Sequence, residues 1–523
     1  MRRRTRPSYR HHSFGWTACN FLFLINCPFF TQIIVQGFVM PQHHQHQQQQ
    51  QHLILVGGGH AHAQVLTWLH DAARPAHLKV TLIDPQVAAT YSGMVPGCIG
   101  GYYDDSPDDD NTKIDLVALT QWAGIEFVND AVVDIDLERQ CVYLQEHPSP
   151  LYYDAISLDV GSTTRGWTTT PGAREYTIPT RPIDALVRRL EDTRWTEDDD
   201  DNNNNKPVQL VVVGGGAAGI ELSMAITSRW RHILTNIQCT ILDAGQQLLP
   251  SENEACRQML QTRLNELNIT VRHDAAVAQV INSHVVLQNG NTVPFTHCIW
   301  AAGAEAHPLS GHLQHQRGLA CTPEGWIAVH PTLQSTSHPA VFAAGDCASI
   351  QGLSRGPPPK AGVYAVRAGP VLLQNVLQFL EGRPSKTWTV YEPQEDFLKL
   401  LVCGDNQAMG FRFGIPFRGK WVFEMKDAID RNFMNLFAQE NLPDKSRIQR
   451  GQYNTQQYDA MVEELTLLEP EEAAMLLQRS DDGVDFQQTW RVLRAMAGDT
   501  SYREQVLHFV KQSTASTVSH EIV

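Results

Sequence analysis

None of the ten cysteines stands in a C-x-x-C pair, and none falls at a zinc-like spacing. Cys239 and Cys298 sit inside strand-like apolar runs, so they read as buried thiols of a reduced compartment, not as a disulfide scaffold. No metal site is expected. Positive charge is scarce as well: 41 Lys and Arg against 56 Asp and Glu leave a net charge of −15, without the basic footprint that nucleic acid requires. Ten of those acids lie in two short clusters, Asp104 to Asp110 and Glu197 to Asp201, and belong to solvated loops.

A clean membrane span is also lacking. Phe21 to Met40 is apolar but interrupted by Asn26, Pro28, Thr31, Gln32 and Gln36, whereas a spanning helix needs about 20 predominantly apolar residues. Acids are absent before Asp71, while Arg2, Arg3, Arg4, Arg6 and Arg10 crowd the start. This leader resembles an organellar transit peptide. The competing reading takes Met40 as the true start, so a cytoplasmic and a mitochondrial address both stay open. Gln47 to Gln51 is low in complexity and reads as a solvated linker.

What the chain does have is length and glycine in the right places. Its 523 residues suggest three structural units, or two with an appendage. The apolar run 52–56 meets Gly57, Gly58 and Gly59 and then a helix-period pattern beginning at His60. Such a turn brings backbone close to a pyrophosphate, which the helix N-terminus holds through its free N–H groups. A second strand, 79–83, ends at Asp84, placed to bind a ribose hydroxyl. The third glycine of the fingerprint is replaced by His62.

A second copy is complete. Strand 206–213 leads into Gly214, Gly216 and Gly219, and strand 239–242 ends at Asp243. An acid there favours the free ribose hydroxyl of NAD(H) over a 2′-phosphate. Two further apolar runs end in small residues: 298–303, closing at Gly303, and 339–346, closing at Gly345 and Asp346.

This order of two glycine loops, A-A-G and A-A-G-D resembles the pyridine nucleotide–disulfide oxidoreductase superfamily. The resemblance implies an α/β fold of two Rossmann-like domains, the second inserted in the first, with a small C-terminal α+β region. It implies FAD on the first unit and NAD(P)H on the second, with Asp346 holding the flavin's ribityl chain. A redox dithiol is not evident: Tyr91-Ser92-Gly93-Met94-Val95-Pro96-Gly97-Cys98 carries a single cysteine, and thiol–disulfide chemistry needs two. Cys98 reads as a small buried hydrophobe. Cys347 and Cys403 remain candidates for a pair across the flavin, but the 158–162 run offers no partner.

The dithiol-free pattern is similar to the type II NADH dehydrogenases. Tyr91 to Met94, Leu158 to Ser162, Pro359 to Pro370 and Gly419 to Met434 resemble a group often fused to a selenide, water dikinase domain. Here 86 residues follow position 437, too few for that domain. The implied division is 1–52 leader, 53–185 with 326–385 for FAD, 206–325 for NAD(P)H, 386–437 as interface domain and 438–523 as helical tail. Gly57, Gly58, Gly59, His60, Asp84, Gly161 and Gly345 are expected to contact FAD; Gly214, Gly216, Gly219, Asp243 and Gly303 are expected to contact NADH. Ser92 and Met94 should flank the flavin ring. Lys360, Val363 and Tyr364 fall at the helix start that faces its pyrimidine in relatives, where a cation or N–H stabilises anionic reduced flavin. Glu221 faces the nicotinamide by resemblance, or is a helix-dipole acid.

The function implied is hydride transfer from NADH to flavin, then electron transfer to a quinone-like acceptor. Membrane contact and a homodimer are further expectations. A helix with Val422, Met425, Ile429 and Phe433 on one face carries Glu424, Lys426, Asp427, Asp430 and Arg431 on the other. That mixed polar face favours burial against protein over a lipid surface. An apoptosis-inducing-factor-like flavoprotein, sensing NADH with little turnover, is the alternative. A flavin monooxygenase ranks below both, because no F-x-G-x-x-x-H motif separates the glycine loops.

Overall fold

The computed structural model describes residues 50–70, 74–103, 112–183, 186–191, 207–232, 236–442, 467–478 and 486–520. The leader, both acid clusters and most of the glutamine tract lie outside them.

Two five-stranded parallel sheets share the order of four strands and differ in the fifth, an edge strand that comes last along the chain in the first sheet and first in the second. In the first the order is Val341–Ala343, Ala155–Leu158, Gln51–Val56, Leu78–Ile83, Glu126–Val128. In the second it is Ile178–Pro179, His297–Trp300, Val208–Val213, Ile237–Leu242, Ile269–Arg272. Strands buried on both faces need continuous apolar sequence, and Leu53, Ile54, Leu55, Leu210, Val211 and Val212 supply it at the two sheet centres. In each sheet the central strand runs directly into a glycine loop and a helix, His60–Trp68 in the first and Ala217–Trp230 in the second. Both loops therefore stand at the carboxyl end of a central strand, where open α/β sheets bind ligands.

The crossing between the units differs from the expected 206–325 boundaries. Ser162–Thr164 pairs antiparallel with Ala304–Ala306, so the outgoing and returning chain segments lie side by side. Strand Ile178–Pro179, expected in the first unit, belongs to the second sheet. Helix Pro308–Arg317, expected in the second, buries Leu309 and Leu313 in the core of the first, and its Arg317 and His312 pair with Asp134. Helix Leu186–Glu191, just past the expected end of the first unit at 185, packs Leu186, Val187 and Leu190 into the core of the second.

A three-stranded antiparallel sheet follows, Lys399–Gly404, Gln407–Arg412 and Ile415–Gly419, then helix Lys420–Asn435. Trp421, Val422 and Met425 join Ile415 and Phe417 in a core that also takes residues of helices Pro470–Gln478, Phe486–Gly498 and Thr500–His520. Phe433 and Met434 pack into the first unit's core. The polar face of this helix is partly buried. Lys426 and Asp430 are buried, because the i,i+4 spacing lets them neutralise each other at 2.6 Å. Among the described residues no helix is long and apolar enough to cross a membrane.

Candidate active site

The first glycine loop is built on contact. Gly57 has φ +90°, and a Cβ there would lie 2.5 Å from the Asp159 carbonyl oxygen. The second repeats this: Gly214 has φ +120°, with the Ala301 carbonyl oxygen 2.2 Å from an added Cβ. In both, the neighbouring strand presses on the loop and only glycine satisfies the turn.

Asp84 ends its strand as expected, and its Oδ2 accepts the Gly58 N–H at 2.5 Å. Asp243 ends the corresponding strand, packs on Gly215, and its Oδ2 lies 3.1 Å from Nδ1 of His273. Gly216 and Gly303 face open space: nothing lies within 4 Å of an added Cβ at either. Gly161 is likewise open. Bare backbone beside open space, flanked by a strand-end acid, fits a dinucleotide pressed against each loop.

Around the first loop the structure gathers His60, Ser92, Met94, Gly345, Asp346, Lys360, Val363 and Tyr364. Asp346 Oδ2 accepts from Ser162 Oγ at 2.8 Å and lies 3.4 Å from an Arg181 guanidinium nitrogen. Gly345, Asp346, Lys360 and Tyr364 line one cavity. Val363 and Tyr364 open helix Gly362–Leu380, and the Tyr364 N–H donates to the Ala361 carbonyl at 3.0 Å. Ser92 Oγ comes within 4.0 Å of a Cβ built at Gly362, which sets the Tyr91 loop against that helix start. Met94 is fully buried. The His60 ring stacks on Phe433 and meets Tyr91 edge-on, and its buried Nε2 has no partner. An orphaned ring nitrogen beside the cradle is a ready donor or acceptor for a bound group.

Lys360 and Glu221 are held more tightly than their expected roles require. Lys360 Nζ donates to the Ala348 carbonyl at 2.6 Å and lies 4.1 Å from the Trp326 ring centroid. Burial lowers its pKa. Glu221 Oε1 accepts the Val402 N–H at 2.7 Å, tying the second loop's helix to the C-terminal sheet. Burial pushes its carboxyl up to about 7, while the nearby Lys426 charge opposes that rise.

Three residues were missed by sequence reasoning. Asp159 is buried inside the first cradle, accepting N–H bonds from Ala61 at 2.8 Å and His62 at 3.1 Å. Its signal was an acid at the end of an apolar strand. Arg181 reaches Asp346 from beyond the second sheet's edge strand, and nothing local in the sequence announces it. Lys426 stands on the mixed polar face of its helix, and its spacing alone gives it no partner outside that helix.

The eight described cysteines are free. Cys347 and Cys403 are buried, and each thiol faces backbone carbonyls. Burial pushes Cys347 up to about 12 and Cys403 further in the same direction, which makes both poor nucleophiles as they stand.

A family model described as pyridine nucleotide-disulphide oxidoreductase matches residues 51–369. Over 153 residues the chain is 27% identical to a type II NADH:quinone oxidoreductase of Haemophilus influenzae, covering 29% of this chain and 34% of that one. Over 135 residues it is 24% identical to a probable NADH dehydrogenase of Dictyostelium discoideum, covering 26% and 29%. These alignments span about a third of the relatives' length. Among solved structures, the sulfide:quinone oxidoreductase of Aquifex aeolicus aligns with a TM-score of 0.60 at 18% identity, covering 76% of this chain and 94% of that one. NDH2 of Plasmodium falciparum in complex with NADH aligns at 0.59 and 15%, covering 76% and 99%. Those two likenesses show a shared fold.

Proposed function

Because the chain belongs to the pyridine nucleotide-disulphide oxidoreductase family, we propose that it is an FAD-dependent NADH oxidoreductase that passes electrons to a quinone-type acceptor. The observation that carries this reading is the duplication itself. One chain holds two parallel sheets with the same order of four strands, each with a glycine loop and a strand-end acid, Asp84 in one and Asp243 in the other. The named relatives, two NADH oxidoreductases, support the choice of donor and acceptor class.

When bound, FAD supplies the redox chemistry: it accepts hydride and returns electrons to an acceptor. The chain's residues bind and orient. Gly216 and Gly303 leave room for the nicotinamide dinucleotide, and Asp243 takes its ribose. Asp346, steadied by Ser162 and Arg181, holds the ribityl chain of the flavin. The start of helix Gly362–Leu380, with Val363, Tyr364 and the preceding Lys360, would meet the flavin's pyrimidine end. Glu221 is a half-buried acid that joins the second unit's helix to the C-terminal sheet. Hydride transfer itself needs no acid–base residue, so the absence of a catalytic triad is no obstacle.

Protein expressed from Met40 and purified without added cofactor should show a flavin band that bleaches rapidly on anaerobic addition of NADH. A band that persists would favour the NADH-sensing alternative. No flavin after reconstitution with FAD would end the enzyme reading.

A further inference from the structure

Helix Lys420–Asn435 buries an ion pair that the fold does not need. Lys426 Nζ donates to Asp430 Oδ2 at 2.6 Å and to the Gly93 carbonyl at 2.6 Å, and both side chains are 5% exposed. Two apolar residues would serve a core at least as well. The pair is also connected. Asp430 Oδ1 accepts the Tyr91 hydroxyl at 3.1 Å, and the Tyr91 ring packs on His60 of the first glycine loop and on Phe433. Tyr91 opens the Tyr91–Met94 loop, whose Ser92 lies against the start of helix Gly362–Leu380. Lys426 therefore stands one carboxylate away from a phenol in the wall of the first unit's site.

Every element around this pair presents a titratable group. Glu221 approaches from the second loop's helix, and Tyr91 from the glycine-rich side; Asp427 and Asp430 come from the same helix as Lys426. Tyr103 lies beside Asp427 and Asp430, with Arg431 over its ring at 5.3 Å. Asp427 and Arg431 are the solvent-facing end, 30% and 47% exposed and paired at 2.8 Å.

We propose that Lys426, Asp430 and Tyr91 form a proton-supply line to the electron acceptor, a proposal that rests on the oxidoreductase reading above. A quinone-type acceptor takes two electrons and two protons to become a quinol. Hydride from NADH accounts for both electrons and one proton, and the second proton must come from solvent. The Tyr91 hydroxyl turns from Asp430 to give its proton to an acceptor oxygen, Asp430 passes the Lys426 ammonium proton on to the phenolate, and Lys426 regains a proton from solvent at the Asp427 end of the helix face. Tyr91 is the catalytic group; Lys426 and Asp430 are positioning residues that act through it.

The test compares two acceptors in the holoprotein. Ubiquinone-1 takes protons with its electrons, whereas ferricyanide takes electrons alone. In Tyr91→Phe and in Lys426→Met/Asp430→Asn, which removes both charges together, the ratio of ubiquinone-1 to ferricyanide rates should fall about 100-fold, the scale of one general acid. The pH dependence of the ubiquinone-1 rate should flatten as well. Lys426→Arg should retain most of the ratio. In the apoprotein, tyrosinate absorbance assigned by subtraction of Tyr91→Phe should titrate at lower pH in the double variant, because the Asp430 charge is gone. Equal loss with both acceptors, an unchanged ratio, or an unmoved Tyr91 titration would each overturn the supply line. Failure of NADH to bleach the wild-type flavin would overturn the functional reading instead, and the line with it.

Discussion

Ser157 and His62 meet at 2.8 Å beneath the first glycine loop, and the other ring nitrogen of His62 lies 2.6 Å from the Gly57 carbonyl. A carbonyl only accepts, so Nδ1 carries the proton and Nε2 accepts from the serine hydroxyl. Burial holds the imidazole neutral, with its pKa lowered to about 4. In the second unit the equivalent position is Gly219, where an added Cβ would come 2.0 Å from the Gly214 carbonyl oxygen. The second unit closes the gap between helix and loop with bare backbone, while the first fills it with a bridging ring.

Restoring the motif should therefore harm the protein. His62→Gly leaves the Gly57 carbonyl and Ser157 without partners and opens a cavity, a loss of about 3 kcal/mol. Denaturant unfolding of the apoprotein measures it. A variant as stable as wild type would show that the bridge contributes nothing.

The two remaining fingerprint glycines of the second loop should separate binding from folding. Gly216→Ala adds a methyl into open space, whereas Gly219→Ala drives one into backbone. Gly216→Ala should keep wild-type stability and weaken NADH binding at least tenfold, because the methyl occupies room meant for the ligand. Gly219→Ala should lower stability as well. Calorimetric NADH titration alongside thermal unfolding distinguishes them, and equal unfolding midpoints for the two variants would refute the assignment.

Asp243 is the residue expected to set the preference for NADH. Its Oδ2 already lies 3.1 Å from His273, which keeps the carboxylate turned toward the end of its strand. A hydrogen bond to a charged group contributes about 1.5–3 kcal/mol, so Asp243→Ala should cost NADH at least tenfold in affinity and leave NADPH unharmed. Undiminished discrimination in the variant would remove the argument.

Much of the site was legible because its signals are local. Asp84 and Asp243 end apolar strands, and the glycine loops follow strands directly, so position along the chain already placed them. What escaped depends on contacts between distant segments. Lys426 and Asp430 have the spacing of an exposed helical pair, and only packing of that face against Gly93 and Tyr91 buries them. The unit boundary escaped because the crossing is a two-stranded ribbon, Ser162–Thr164 with Ala304–Ala306, whose partners lie far apart in sequence.

Asp159 makes the apoprotein's stability depend on pH. Burial pushes its carboxyl up to about 7 despite two N–H bonds, and the charges of Asp346 and Asp84 act in the same direction. In the unfolded chain an aspartate titrates near 3.9. Between about pH 4 and pH 7 the folded protein therefore holds a proton that the unfolded chain has released. Stability falls as pH rises through that window and levels off above it, with about 4 kcal/mol at stake for a shift of roughly three units. Asp159→Asn keeps an oxygen to accept the Ala61 and His62 N–H groups and removes the ionisation. The variant's advantage over wild type should be larger at pH 8 than at pH 5 in denaturant unfolding. Glu221, raised in the same direction, leaves a residual slope in both proteins. A stability difference equal at the two pH values would mean that Asp159 ionises freely in the folded chain, and that its burial against the first glycine loop carries no electrostatic cost.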